Sequence, residues 1–98
     1  GSIGSRSKAK THLQRAVELA PEYPENRLNL AEARLRWKDY EAARKEVEAF
    51  EAAQPRAREQ FKGDVWAGAW IDWDRRLKKL REQLKSPVKP ATSPRGMP

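Results

Sequence analysis

The chain has 98 residues, a formal charge of +7, four Trp and no Cys. That length holds at most one small domain, which buries only roughly 60% of the surface its unfolded chain exposes. The absence of Cys excludes a disulfide framework and a Cys-based zinc site, and a single His cannot build a His-rich metal centre.

Residues 1–5, Gly-Ser-Ile-Gly-Ser, read as a short appended segment rather than part of the fold. From residue 6 to 85, Ala, Leu, Glu, Arg and Lys dominate, and these are the good helix formers. No alternating Val/Ile/Thr run occurs, so the sequence predicts an all-α chain. Ala9, Leu13, Ala16 and Val17 recur at helical spacing and predict a first helix. Pro21 and Pro24 punctuate it. Leu28, Leu30, Ala31 and Leu35 predict a second helix, bounded by Trp37-Lys38-Asp39. Tyr40, Ala43, Val47 and Phe50 predict a third, which Pro55 is expected to stop.

Asp64 is a candidate N-cap behind Gly63. Trp66, Trp70, Trp73, Leu77, Leu80 and Leu84 then follow at spacings of three and four, a continuous apolar seam on a long fourth helix. Acids come early on that helix and bases late, which complements the helix dipole. Residues 86–98 hold four of the seven prolines and read as a disordered tail; the alternative is a ligand for an aromatic groove. No apolar run is long enough to span a membrane, and no apolar stretch of the kind a signal peptide carries is visible near residue 1.

Charge is distributed unevenly. Residues 1–21 carry 4 basic and 1 acidic side chains, residues 22–55 carry 6 and 8, residues 56–85 carry 9 and 5, and residues 86–98 carry 2 and 0. The chain ends are therefore basic and the middle is mildly acidic.

Sliding the chain against itself by 34 places Ala9 on Ala43, Leu13 on Val47, Ala16 on Phe50 and Pro21 on Pro55. A 34-residue period with a small residue, a larger one a turn later and a closing Pro describes stacked helix pairs. With Leu30-Ala31, Asp39-Tyr40, Ala43 and Pro55 in place, residues 6–55 resemble the tetratricopeptide repeat family. Three positions depart from its pattern: Arg27 and Arg34 replace aromatics, and Lys38 replaces a turn glycine. Phe50 stands where a small residue is usual.

The resemblance implies antiparallel helix hairpins, a fragment of an α-solenoid with a long C-terminal Trp-rich helix. Residues 6–55 then supply half a repeat plus one full repeat, and 56–85 a capping region. The first helix of the half repeat would lie upstream, as in a piece of a longer array. Leu13 and Val17 then need a cover, from the C-terminal helix or from another molecule. The resemblance also implies a non-enzymatic scaffold that binds a peptide or helix of a partner protein. Its groove, carried over by position, is Glu25, Leu28, Asn29, Glu32, Leu35 and Arg36. That mixed lining suits a partner with basic and apolar groups. A carboxylate clamp is not expected, because Leu28 and Glu32 occupy its positions.

Two other readings are open. A basic patch of Arg75, Arg76, Lys78, Lys79 and Arg81 would bind nucleic acid or an anionic membrane surface. The face at Leu13 and Val17, or the Trp seam itself, would support self-association or docking into another protein's groove. No catalytic arrangement is visible: His12 reads as a surface residue, Asp72 and Asp74 point to different sides of their helix, and Glu46, Glu48 and Glu51 read as a solvated face. No cofactor or metal is expected. Composition fits a bacterial cytoplasm or periplasm equally.

Overall fold

The computed structural model describes residues 2–85, with side chains from residue 6 onward. Four helices follow in chain order: α1 (Ser2–Leu19), α2 (Pro24–Arg36), α3 (Tyr40–Gln60) and α4 (Asp64–Lys85). No strand occurs among the described residues. Helix α1 runs through residues 2–5, so this stretch is helical whatever its origin. The tail expectation for 86–98 lies outside the described residues.

Helix α2 starts where its sequence dictates. Pro24 sits at its first position, where a missing N–H costs nothing and φ is already helical. Tyr23 precedes it in extended conformation and donates its backbone N–H to Ala20 O at 3.1 Å. Asn26 ties this start back to α1, donating Nδ2–H to Ala16 O at 3.2 Å.

The α2–α3 turn is closed by paired backbone hydrogen bonds. Lys38 donates to Leu35 O at 2.9 Å and Asp39 to Arg34 O at 2.8 Å, the paired bonds of a left-handed helix ending. Lys38 has φ 64°, a conformation in which a Cβ is strained. The Lys38→Gly variant is therefore expected to be more stable by about 1 kcal/mol. A urea midpoint raised with an unchanged slope checks this; an unraised midpoint refutes it.

Family-typical aromatics are absent from α2, and ion pairs take their place. Arg34 is buried, with its Nε donating to Glu46 Oε2 at 3.3 Å and its Nη1 lying 3.6 Å from Asp39 Oδ2. Arg27 reaches the other Glu46 oxygen at 3.4 Å and Pro21 O at 3.1 Å. Glu46 thus joins α2 to α3 from inside the hairpin, which corrects its placement on a solvated face. Glu51, expected on the same face, accepts from Arg81 of α4.

Pro55 does not end α3. The helix continues to Gln60, so the sequence-based boundary at 55 is wrong by a full turn. A proline inside a helix removes one hydrogen bond and costs about 3 kcal/mol. Tertiary contacts of the following turn offset that cost. Ala57 is buried in the core, and Arg58 lies over the Trp70 ring at 4.0 Å while holding Asp74 at 2.6 Å. Phe61 then closes the helix through its N–H to Ala57 O, and its own carbonyl accepts from Trp70 Nε1 at 2.6 Å. Gly63, with φ 102°, makes the sharp entry into α4.

Helix α4 lies parallel to α2 and antiparallel to α3. Trp73 and Arg76 face the start of α2, while Arg44 near the start of α3 donates to Leu84 O at the end of α4. Trp70, Trp73, Leu77, Leu80 and Leu84 are buried against both helices, and Trp66 is half-buried. The apolar seam is therefore consumed within the chain and is not free for a dimer or a foreign groove. Tyr23, Phe61, Trp66, Trp70 and Trp73 stack mostly edge-to-face at one end of the bundle, with ring centroids 4.9–6.4 Å apart. Helix α1 packs on α2 alone, and none of its described residues is buried. Leu13 and Val17 are half-covered by that contact, and α4 does not reach them.

Candidate functional site

The face shared by α2 and α4 carries a connected cluster of polar groups. Glu25, Asn29 and Glu32 stand at spacings of four and three, one stripe along α2. Arg76, Lys79 and Gln83 stand at spacings of three and four, one stripe along α4 beside the buried seam. Parallel packing sets the two stripes opposite each other.

Arg76 spans the gap. Its Nε donates to Glu32 Oε2 and its Nη2 to Glu32 Oε1, both at 2.8 Å, a two-point grip on one carboxylate. Nη2 also reaches Asn29 Oδ1 at 2.8 Å, and Nη1 lies 3.1 Å from Glu25 Oε1. Trp73 Nε1 donates to the same Glu25 oxygen at 2.8 Å. The Glu32 hydrogen bond, opposed in part by burial, holds the Arg76 guanidinium charged even further above the ordinary arginine range.

One helical turn beyond this cluster the two helices leave an open cleft of about 380 Å3. Glu32, Leu35 and Arg36 of α2 line it with Arg76, Lys79 and Gln83 of α4, above the buried Leu80. Arg36, Lys79 and Gln83 are exposed and Leu35 is half-buried. Among the described residues neither Arg36 nor Lys79 makes an ion pair.

Of the six groove residues carried over by position, only Leu35, Arg36 and the edge of Glu32 meet this cleft. Leu28 is 1% exposed and belongs to the core beneath. Glu25 and Asn29 are engaged by α4. Position on α2 picks out the face that meets α4, but not the helix that covers half of it. Gln83 was missed; its place three and seven residues along from Leu80 and Arg76 was the available signal.

Three of the five cations of the expected basic patch are paired within the chain. Arg75 pairs with Asp72, Arg76 with the α2 carboxylates, and Arg81 with Glu51 at 2.6 Å. Lys78 and Lys79 alone are uncommitted among these. No group of three or more His, Cys, Asp or Glu that could hold a metal occurs among the described residues. No described helix is long and apolar enough to cross a membrane.

Helices joined by short turns, each packed on the one before, with a fourth helix in the place of a next repeat, define a helical-repeat protein. The family model described as "Tetratricopeptide repeat" matches residues 4–63, which take in nearly all of α1 and the whole of α2 and α3. The chain belongs to the tetratricopeptide repeat family, and α4 begins one residue beyond the match. Comparison with curated proteins and with solved structures gave no match. Repeats of this family generally serve as protein–protein interaction scaffolds without enzymatic activity.

Proposed function

We propose that the chain is a non-enzymatic interaction module whose partner-binding surface is the cleft between the end of α2 and the second half of α4. One observation carries the reading: the cleft is open, combines an accessible apolar group with unspent polar ones, and is walled by two helices fixed through Arg76. A rigid wall lowers the ordering cost of binding a peptide or a helix. The surface is small, so affinity from this chain alone is modest.

Photo-crosslinking tests the reading. A benzoylphenylalanine in place of Gln83 is expected to trap a discrete partner at high salt with nuclease present. The same group in place of Lys45, exposed on α3, is expected to trap none. Equal trapping from both positions, or trapping only from Lys45, would remove the cleft as the binding surface.

A further inference from the structure

The geometry points to an acidic stretch of a partner protein, carrying an apolar side chain, as the occupant of this cleft. The inference rests on the cleft being the partner-binding surface, and it assigns the sign of the partner.

The sequence alone gives the opposite sign. Glu25 and Glu32 look available to a basic partner when α2 is read by itself. In the folded chain Arg76 has taken both, at 3.1 and 2.8 Å, together with Asn29. A lysine-bearing partner would have to displace an intramolecular guanidinium held by several charge-assisted bonds, with no gain in their number. What remains one turn further is two cations, Arg36 and Lys79, exposed and without ion pairs among the described residues.

Field and shape agree on the ligand. With Glu32 already held by Arg76 at the edge of the cleft, a carboxylate-bearing segment meets two unpaired cations, whereas a basic segment meets two like charges. Leu35, half-buried between them, offers apolar area that a Leu or Met of the partner covers. Gln83 supplies a donor and an acceptor for the partner's backbone. The same inventory disfavours a nucleic acid. The neighbouring arginines Arg75 and Arg81 are held by Asp72 and Glu51, so few phosphates could be neutralised at once.

Fluorescence anisotropy on the whole chain tests this. The probes are a short end-blocked peptide of glutamates around a central leucine, its lysine counterpart, and an oligothymidylate. Saturable binding of the glutamate peptide and none of the lysine peptide is expected. The Arg36→Ala/Lys79→Ala variant should bind the glutamate peptide about tenfold more weakly, since two exposed ion pairs are lost. Its melting temperature should be unchanged, because neither side chain holds the fold. Failure of the glutamate peptide to bind, equal or tighter binding of the lysine peptide, tighter binding of the oligothymidylate, or indifference to the double substitution would each overturn the assignment. The crosslinking result separates the two levels. A partner trapped from position 83 that the lysine peptide displaces keeps the cleft as the binding surface and reverses only its sign.

Discussion

Replacing Trp73 by alanine is expected to cost about 3–5 kcal/mol, enough to unfold much of a small domain at ambient temperature. Trp73 is 2% exposed and sits where α4, α2 and the aromatic cluster meet. Its ring stands nearly perpendicular to Tyr23 and to Trp70, with centroids 5.8 and 5.0 Å away. Its N–H satisfies Glu25. Removing the ring leaves a cavity bounded by three other aromatics whose positions are fixed by their own neighbours, so little of it can close. For a chain of this length each kcal/mol lowers the midpoint by roughly 4–8 °C, so the thermal transition should fall by more than ~12 °C. The Trp66→Ala variant, at a half-buried position on the same helix, should lose less. Trp73→Phe keeps most of the contact area and removes the donor to Glu25; its cost should be about 1 kcal/mol, because Glu25 retains Arg76. A Trp73→Ala protein that melts with the parent would mean that α4 does not close the fold.

How far the sequence reaches is clear from particular residues. Helical periods follow from backbone geometry and from burial of one face, so Ala43, Val47, Trp70, Trp73 and Leu80 were legible as core, and the four helices with them. The turn at Trp37-Lys38-Asp39 was legible for the same local reason. The end of α3 was not. Proline's local cost argues for a stop at Pro55, but Ala57, Arg58 and Phe61 find partners on α4, twelve or more residues away for Arg58 and Asp74. Tertiary contact overrode local preference there.

Charge was the least legible property. The cluster of Arg and Lys along α4 suggested a polyanion surface, and the mixed Glu/Leu/Arg lining carried over to α2 suggested a partner with basic and apolar groups. Both readings treat charges as free. In the structure Arg75, Arg76 and Arg81 meet Asp72, the α2 carboxylates and Glu51, and Arg27 and Arg34 meet Glu46. Only the pairing of helices decides which charges are spent inside the chain, and that pairing is long-range. The surface left over is what a partner meets.

Arg76 makes that dependence measurable. The Arg76→Met variant keeps an unbranched apolar stem but removes the guanidinium from Glu25, Asn29 and Glu32, and from Asp72 on its own helix. Two carboxylates seven residues apart on one face of α2 then lose their common partner, and Trp73 alone still reaches Glu25. The Arg76 side chain is 18% exposed, whereas those of Glu25 and Glu32 are 39% and 32% exposed. Water therefore recovers part of the carboxylates' solvation, and the expected loss is about 1–2 kcal/mol rather than the 3–5 of a fully buried pair. Glu32→Gln alone should cost less, because the amide oxygen still accepts one hydrogen bond. In the double variant the two losses should fall short of additivity by about 1 kcal/mol, the signature of a direct pair. The raised Arg76 pKa adds stability that is complete below the ordinary arginine range and is lost only above it, so the guanidinium itself introduces no pH dependence in the working range. The functional readout moves with the structural one: freeing Glu25 and Glu32 makes the α2–α4 face acidic again, and the preference for glutamate over lysine peptides should shrink or reverse in Arg76→Met. Urea midpoints for the cycle and anisotropy with both peptides check the two halves. An Arg76→Met protein with unchanged stability and an unchanged peptide preference would show that Arg76 neither fastens α4 nor sets the sign of the cleft.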